Sequence, residues 1–198
     1  MASQRGRTGV RVTGGSFRGR RLDTLPGLGM RPTSDKVKEA LFAILGPRLA
    51  GARVVDVFAG TGALGIEALS RGAERVVFVE RDAASLALLR RNLQALGDPR
   101  GALVVPGDGL RPETWNSGGA VDLILADPPY RKGWPEQLLE ALSAGGALAA
   151  GGLLVIEHET GVEPIRPEWE ALQRRRYGDT TLSFFRPAAA PAEGPESD

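Results

Sequence analysis

The stretch Arg53-Val54-Val55-Asp56-Val57-Phe58-Ala59-Gly60-Thr61-Gly62-Ala63-Leu64-Gly65 decides the fold class of this chain. Its first five residues form a mostly β-branched run, which predicts a buried strand over 53–57. Two closely spaced glycines allow a tight turn, and the apolar run behind them predicts a helix over 63–71 that Gly72 ends. A strand, a glycine turn and a helix in this order predict one unit of a parallel α/β sheet.

The same alternation continues on both sides of this unit. Apolar runs bounded by glycine, proline and acidic residues predict further strands at 75–80, 102–106, 121–126 and 153–157. Helical periodicity predicts helices at 35–45, 83–96 and 135–144. This order predicts an α/β fold with a mostly parallel sheet and helices on both faces. The end of the chain differs, because segments 172–177 and 181–186 flank a Gly-Asp turn and predict an antiparallel hairpin.

Length and composition are those of a soluble globular protein. The 198 residues suffice for one domain with a substantial core. The chain has no cysteine and one histidine, which excludes disulfides and thiolate metal sites and predicts that no metal is bound. Neither a membrane-spanning apolar stretch nor a signal peptide is visible, so the expected location is the cytoplasm.

Charge is distributed unevenly along the chain. Residues 1–38 carry nine Lys and Arg against two Asp, a net charge of +7, whereas the whole chain carries +1. A short β-hairpin with basic side chains is predicted within residues 10–22. We therefore divide the chain into a basic extension at 1–46, the domain of the parallel sheet at 47–187 and a disordered tail at 188–198. The extension is expected to contact a polyanion.

A second motif, Asp127-Pro128-Pro129-Tyr130, follows the strand predicted at 121–126. It puts a carboxylate at the carboxyl end of a strand, where open α/β sheets bind their ligands. The two prolines have no N–H donors, so carbonyl oxygens are left as acceptors beside an aromatic ring. A carboxylate, a carbonyl oxygen and a ring are the groups needed to hold a planar amino group attached to a base.

The glycine loop has two interpretations. Gly60-Thr61-Gly62-Ala63-Leu64-Gly65 matches the G-x-G-x-x-G pattern of dinucleotide-binding proteins, and Glu80 lies 20 residues after Gly60. A dehydrogenase is therefore one candidate. Asp56 argues against it, because a carboxylate near the strand end would repel a pyrophosphate. Asp108 and Asp127 follow other strands and add negative charge to the same edge. Such an edge suits a phosphate-free, cationic ligand such as S-adenosylmethionine.

Each part of S-adenosylmethionine has a predicted partner along this edge. Asp56 and the loop backbone would hold the aminoacyl end, and Gly60 and Gly62 would allow a close approach. Glu80 would accept both ribose hydroxyls, and Asp108 would meet the adenine amine with help from the adjoining backbone. The predicted cofactor-binding residues of this edge are Asp56, Phe58, Gly60, Gly62, Glu80, Arg81, Asp108, Gly109 and Asp127.

Together these motifs resemble those of the class I methyltransferases, and more closely the bacterial small-subunit ribosomal RNA guanine-N2 methyltransferases of the RsmD type. The resemblance covers nearly all of residues 10–186. The matching stretches are Gly14-Gly15-Ser16-Phe17-Arg18-Gly19-Arg20-Arg21-Leu22, Arg31-Pro32-Thr33-Ser34-Asp35-Lys36-Val37-Lys38-Glu39-Ala40-Leu41-Phe42, Asp56 through Ala68, Phe78-Val79-Glu80, and Asp127-Pro128-Pro129-Tyr130.

The resemblance implies a Rossmann-like, seven-stranded and mostly parallel sheet with an antiparallel last strand. It implies methyl transfer from S-adenosylmethionine to the exocyclic N2 of one guanine in 16S ribosomal RNA, on a partly or fully assembled small subunit. It also implies that Arg31-Pro32-Thr33 lies over the cofactor, which adds Arg31 and Thr33 to the cofactor-binding set. We expect the chain to act as a monomer.

In this hypothesis Asp127, Pro128 and Tyr130 are the catalytic residues. Asp127 Oδ and the Pro128 carbonyl would accept the two amine hydrogens and aim the nitrogen lone pair at the methyl group. Tyr130 would stack on the extruded base. Six basic residues are predicted to contact RNA phosphates: Arg11, Arg18, Arg20, Arg21, Arg131 and Lys132.

Two other functions remain open besides the dehydrogenase. Because the Asp-Pro-Pro-Tyr motif also serves adenine amines, one is an adenine-N6 methyltransferase acting on DNA or RNA. The other is a non-catalytic RNA-binding assembly factor that retains the cofactor fold. Elsewhere, Trp115 and Trp169 are predicted to be packing residues and His158 to be structural or solvent-facing, while Trp134 is left undecided between packing and contact with the base.

Overall fold

The computed structural model describes residues 10–24, 35–117, 119–129, 133–143 and 146–188. Five predicted site residues lie outside these ranges: Arg31, Thr33, Tyr130, Arg131 and Lys132. Most of the predicted C-terminal tail lies outside them as well. Within the described ranges, every helix is too short or too polar to cross a bilayer.

The described residues form nine strands and five helices. A small ladder pairs β1 (Val10–Arg11) with β2 (Arg21–Leu22). The main sheet contains β3 (Arg53–Val57), β4 (Arg75–Glu80), β5 (Ala102–Pro106), β6 (Val121–Ala126), β7 (Leu148–Glu159), β8 (Trp169–Tyr177) and β9 (Thr180–Pro187). The helices are α1 (Asp35–Leu45), α2 (Ala63–Ser70), α3 (Ala83–Ala95), α4 (Pro112–Trp115) and α5 (Trp134–Ser143), and a 3-10 turn (Gly46–Leu49) follows α1.

The main sheet has the strand order β5-β4-β3-β6-β7-β9-β8. Neighbouring strands from β5 to β7 are parallel, and β9, the last strand of the chain, runs antiparallel to both of its neighbours. The predicted seven-stranded sheet with an antiparallel last strand is therefore confirmed. The chain winds outward from β3 to β5 and then returns to β6 on the other side of β3. The carboxyl ends of β3 and β6 therefore form the switch point of the sheet, where ligands bind in such folds.

Helices cover both faces of the sheet, as predicted. α1, α2 and α3 pack on one face through residues such as Phe42, Ile66 and Leu89. α4 and α5 pack on the other face through Trp115 and Leu138. The central strands are therefore buried on both sides, which explains why β3, β4 and β6 are continuous apolar runs rather than alternating ones.

The N-terminal extension shares the core of the main sheet. Val12 and Leu22, beside the β1–β2 ladder, belong to the same buried cluster as α1 and α2. Lys38, counted above among the basic charges, is fully buried, lies 3.6 Å from Glu67 and donates to the Arg11 carbonyl. Burial lowers the pKa of Lys38 below its usual value, and the Glu67 carboxylate opposes that effect. Lys38 therefore adds nothing to the surface charge of the extension.

The predicted hairpin of the extension forms, but its ladder contains only two residue pairs. The chain between the strands bonds to α2 instead. The Ser16 N–H donates to the Ser70 carbonyl at 2.8 Å, and the Phe17 N–H donates to Ser70 Oγ at 2.9 Å. These partners lie far away in the chain, so the alternation of residue types within 10–22 does not reveal them.

Two elements near the C-terminus differ in extent from the predictions. β7 begins at Leu148 rather than at residue 153, because Leu148 pairs with Val121 across an irregularity in the ladder. Its first half is rich in glycine and alanine, which have low strand propensity. β8 begins at Trp169 rather than at residue 172, and the N–H of Ala188, the first residue of the predicted tail, donates to the Glu168 carbonyl at 2.8 Å.

Candidate cofactor and active site

Three acidic side chains meet at the carboxyl edge of the sheet. Asp56 lies in β3, Glu80 is the last residue of β4, and Asp127 follows β6 directly. The ladders on both sides of β3 are in register, so Glu80 and Asp127 leave the sheet at the same level. The charges of both act on the pKa of Asp56. The structure therefore brings these three predicted residues together at the switch point.

Asp56 is the most deeply buried of the three, with 2% of its surface exposed. Its Oδ2 accepts the Gly65 N–H at 2.8 Å, a donor in the first turn of α2 that the helix itself cannot satisfy. Burial raises the pKa of Asp56 well above its usual value; the Asp127 and Glu80 carboxylates act in the same direction, and the Gly65 bond opposes them. Asp56 thus caps α2 from within the sheet, a role not predicted for it, and its contact with the cofactor stays a prediction.

The glycine loop between β3 and α2 is held against the neighbouring elements. The Gly60 N–H donates to Glu80 Oε2 at 2.9 Å. Gly62 has a φ of 81°, and a Cβ at this position would lie 2.4 Å from Leu89 Cδ1 of α3. Glycine is therefore required at position 62 both for its backbone conformation and for close packing.

Glu80 organises the backbone on both sides of it. Oε2 accepts the Gly60 N–H at 2.9 Å, and Oε1 accepts the N–H groups of Arg81 and Asp82, each at 2.8 Å. A carboxylate has about four acceptor positions, so three hydrogen bonds leave about one more to Oε2. The side chain is partly exposed. These bonds leave Glu80 about one conventional acceptor position for a ligand, and its contact with both ribose hydroxyls stays a prediction.

Asp108 and Gly109 follow β5 and lie next to this loop. Asp108 Oδ1 accepts the Leu110 N–H at 3.0 Å, and Oδ2 lies 3.5 Å from Arg81 Nη1. A Cβ on Gly109 would lie 3.1 Å from the Phe58 ring, so this glycine packs closely against the residue after β3. The structure thus places these four members of the predicted cofactor-binding set beside one another.

Trp134, which the sequence left undecided, also belongs to this edge. Its ring meets the Phe58 ring edge to face with centroids 5.1 Å apart, and the Arg81 guanidinium carbon lies 5.6 Å from the ring centre. Phe58 has a φ of 64°, a left-handed conformation that costs a non-glycine residue about 1–3 kcal/mol. This turn directs the Phe58 ring to α5. Because both partners of Trp134 are distant in the chain, spacing from the Asp-Pro-Pro-Tyr motif could not identify them.

The described part of the Asp-Pro-Pro-Tyr motif lies at the same edge. Asp127 is partly exposed, Pro128 is buried and Pro129 is exposed. The remaining predicted residues of this loop, Tyr130, Arg131 and Lys132, lie outside the described ranges. The roles of Asp127 and Pro128 as acceptors for an amino group stay predictions.

The four arginines of the extension that are predicted to contact RNA are all exposed: Arg11, Arg18, Arg20 and Arg21. Arg20 donates to the carbonyl of Ala95, the last residue of α3, at 2.6 Å. A cation at a helix C-terminus is favourable because the last carbonyls carry partial negative charge. Arg20 thus lies at the C-terminal end of α3.

Asn92 is a contact residue that the sequence analysis missed. Its side chain is buried, its Nδ2 donates to the carbonyls of Thr61 at 3.0 Å and Asp23 at 3.1 Å, and its Oδ1 accepts the Asp23 N–H at 2.9 Å. The available signal was a polar residue on the apolar face of α3, three positions after Leu89 and next to Leu93.

His158, Trp115 and Trp169 are structural residues. His158 is buried rather than solvent-facing, and its Nε2 lies 2.7 Å from Ser183 Oγ. Burial lowers the pKa of His158 below its usual value. Trp115 is buried under the sheet, and Trp169 Nε1 donates to the Leu139 carbonyl at 2.9 Å. The prediction that both tryptophans are packing residues is confirmed.

Comparison with known proteins assigns the chain to a family. The family model described as Conserved hypothetical protein 95 matches residues 10–186. The Ribosomal RNA small subunit methyltransferase D of Haemophilus influenzae is 36% identical over 183 residues, covering 89% of this chain and 93% of that protein. Its Escherichia coli namesake is 33% identical over 179 residues, covering 89% of each chain. The solved structure of a hypothetical protein of Thermus thermophilus is 35% identical, with a TM-score of 0.74 over 88% of this chain and 98% of that one.

The family model spans residues 10–186, so it includes most of the extension as well as the main sheet. The sheet is that of the class I methyltransferases. The chain therefore belongs to the Conserved hypothetical protein 95 family, the RsmD-type family whose motifs its sequence resembles.

Proposed function

We propose that this chain transfers a methyl group from S-adenosylmethionine to the exocyclic N2 of a guanine in 16S ribosomal RNA, acting as a monomer on the small ribosomal subunit. The observation that carries the proposal is the placement of Asp56, Glu80 and Asp127 at the carboxyl ends of three adjacent strands, at the switch point of the sheet. Relatives at 33% and 36% identity are named as methyltransferases of small-subunit ribosomal RNA, which supports this class of substrate.

The residues of the carboxyl edge fit S-adenosylmethionine better than a dinucleotide. Their negative charge suits a sulfonium and an ammonium group and opposes a pyrophosphate. Glu80 would give its remaining acceptor position to a ribose hydroxyl, and Asp108 and Gly109 would receive the adenine, with the Trp134 ring as a neighbouring aromatic surface. When bound, the cofactor supplies a methyl group activated by a positively charged sulfur.

Asp127 and Pro128 would prepare the nucleophile. A guanine amine is a poor nucleophile because its lone pair is delocalised into the ring. By accepting its two hydrogens, Asp127 Oδ and the Pro128 carbonyl would favour a tetrahedral nitrogen and direct the lone pair at the methyl carbon. Asp127 would then take the proton that the nitrogen releases after the new N–C bond has formed. Tyr130 would stack on the base, a contact that contributes about 1–3 kcal/mol in comparable sites.

The extension would provide the docking surface for the RNA backbone. The arginines at 11, 18, 20 and 21 are exposed on one short segment, and exposed cations bind phosphates through a salt-dependent attraction. Arg131 and Lys132 would add contacts beside the active site, while Arg31 and Thr33 would lie over the cofactor. Binding would thus begin at the extension and end with one base at Asp127.

The experiment is transfer of labelled methyl from S-adenosylmethionine to small subunits from cells that lack the protein, followed by digestion and nucleoside analysis. The expected product is N2-methylguanosine, with none formed by the Asp127→Ala variant. N6-methyladenosine would instead make the chain an adenine methyltransferase. Tight binding to small subunits without any methyl transfer would make it an assembly factor.

A further inference from the structure

Residues 10–24 of the N-terminal extension are held against α2 by a polar cluster around the buried side chains of Glu67 and Ser70. Glu67 is 0% exposed and accepts the Thr13 N–H at 2.8 Å, the Thr13 hydroxyl at 2.7 Å and the Gly14 N–H at 2.8 Å. One turn further along, the Ser70 carbonyl accepts the Ser16 N–H at 2.8 Å. Because these groups are buried, separating them would leave several polar atoms unsatisfied. The extension and α2 are therefore expected to move together.

The extension is also fastened to α3, and through it to the glycine loop. The buried Asn92 amide donates to the Thr61 carbonyl in the loop and exchanges two hydrogen bonds with the backbone of Asp23 at the end of the extension. Arg20 adds a contact with the Ala95 carbonyl at the end of the same helix. Asn92 is thus a single side chain bonded to both the extension and the loop.

Both helices begin at the acidic edge. α2 starts after Gly62, and its first turn is held by Asp56 through the Gly65 N–H. α3 starts after Asp82, whose N–H donates to Glu80 Oε1 at 2.8 Å. A shift of either helix therefore moves groups that surround the proposed cofactor site.

We propose that Asn92 is a positioning residue that couples the two sites, so that RNA bound to the extension raises the affinity of the glycine loop for the cofactor. The coupling rests on the proposed function, from which both ligands are taken. Asn92 holds Thr61 of the glycine loop and Asp23 of the extension at a fixed separation. RNA that orders the extension therefore also orders the glycine loop, and a cofactor that orders the loop also orders the extension. Thermodynamic linkage then requires that the cofactor raise the affinity for RNA by the same factor.

The test is a binding cycle on the full chain. Dissociation constants for S-adenosylhomocysteine, which cannot donate a methyl group, are measured by equilibrium dialysis without and with saturating small subunits from cells that lack the protein. We expect small subunits to tighten binding to the wild-type chain at least about fivefold, the lower end of commonly measured couplings. In the Asn92→Ala variant the factor should fall towards one. Gln94→Ala, which removes an exposed amide from the same helix, should retain the wild-type factor.

The coupling factor is a ratio of two affinities of one protein, so a general loss of stability does not mimic its disappearance. Asn92→Asp gives a second measurement, because it keeps the acceptor for the Asp23 N–H and loses both donated bonds; it decides the question if Asn92→Ala does not fold. An unchanged factor in the folded variant, or a factor of one in the wild-type chain, overturns the coupling. Failure of the wild-type chain to bind S-adenosylhomocysteine at all would instead overturn the proposed function.

Discussion

The two edges of the sheet use acidic residues in opposite ways: Asp122 lies within β6 at the amino edge, and Asp127 follows β6 at the carboxyl edge. At the amino edge, Asp122 accepts the Arg53 N–H at 2.8 Å and lies 3.5 Å from its Nε, with both side chains nearly half exposed. At the carboxyl edge, Asp127 lies near Glu80 and the buried Asp56, so carboxylate is grouped with carboxylate.

An acid paired with an arginine is typical of a solvated surface, as at the amino edge, whereas a group of acids is typical of a ligand site, as proposed for the carboxyl edge. Two clefts of about 400 and 460 Å³ lie at the amino edge, lined by residues that include Arg48, Arg53, Asp122 and Arg75. Carboxylates that lie close to one another repel, whereas a carboxylate beside an arginine is stabilised. Groups of carboxylates are therefore typical of functional sites, where a ligand can offset the repulsion. Charge and burial therefore favour the carboxyl edge as the proposed cofactor site.

The largest expected effect contrasts Asp127, which follows β6, with Asp122 near the start of that strand. Asp127→Ala should lower methyl transfer to small subunits by about 10²–10³, because it removes an acceptor placed where charge develops. Its affinity for S-adenosylhomocysteine should change little. Asp122→Asn, at the other end of the same strand, should leave turnover unchanged. Near-normal turnover by Asp127→Ala, or an equal loss in both variants, would contradict the proposed mechanism.

A second contrast uses the two acids that flank β4. Glu80→Gln should weaken binding of S-adenosylhomocysteine about 10- to 100-fold, because hydrogen bonds to charged groups contribute about 1.5–3 kcal/mol each and the amide cannot accept all three loop N–H groups. The exposed Glu74, which precedes β4 at the amino edge, is the control as Glu74→Gln. Isothermal titration calorimetry with S-adenosylhomocysteine measures the affinity of each variant. Equal affinities for the two variants would exclude Glu80 from the cofactor site.

A third contrast compares two tryptophans. Trp134→Ala should weaken cofactor binding about 3- to 10-fold, because it removes an aromatic pair and a cation–π contact that contribute about 0.5–1.5 and 0.5–1 kcal/mol. Trp134→Phe should recover part of the loss. Trp169→Phe, at the start of β8, should have no effect on affinity. Quenching of tryptophan fluorescence by S-adenosylhomocysteine should disappear in Trp134→Phe and persist in Trp169→Phe.

A fourth contrast concerns arginines. Arg18 is exposed on the extension, whereas Arg53 is paired with Asp122 at the amino edge. Arg18→Gln should weaken binding to small subunits a few-fold at low salt and reduce the slope of log affinity against log salt by about 1, as expected for one lost phosphate contact. Arg53→Gln should change neither. Identical salt slopes for wild type and Arg18→Gln would remove Arg18 from the docking surface.

The smallest effect is on stability, and it tests the burial of Asp56. Its pKa is raised above the usual 3.8 in the folded chain. At a pH between 3.8 and the raised pKa, the unfolded chain has released the Asp56 proton and the folded chain retains it. The free energy of unfolding therefore falls as the pH rises, by at most about 1.4 kcal/mol per pH unit. Below the unfolded value both states are protonated and this contribution is constant.

Asp56→Asn removes this dependence and keeps an acceptor for the Gly65 N–H. Denaturant unfolding at a series of pH values should therefore show the variant gaining stability relative to wild type as pH rises from 4 upward. Asp122→Asn is the control for loss of a surface carboxylate. A stability difference that does not vary with pH would mean that the pKa of Asp56 is not raised in the folded chain.

The sequence by itself determined that the sheet is mostly parallel and that acidic residues follow its strands at the carboxyl edge. The strands β3 to β6 match their predicted ranges because β-branched runs ending at glycine, proline or acidic residues are local signals. The acids at positions 56, 80 and 127 were recognisable because strand ends can be read along the chain. Their convergence followed from the rule that parallel strands end at one edge.

The tertiary structure alone decided which polar residues do structural work. Lys38 looked like a surface cation but is buried against Glu67, and Asp56 looked like a ligand contact but also caps α2. Trp134 and Asn92 acquire their partners from segments that are distant in the chain. Periodicity and spacing report only neighbours within a turn or a strand, whereas burial and hydrogen-bond pairing depend on how far-apart segments pack.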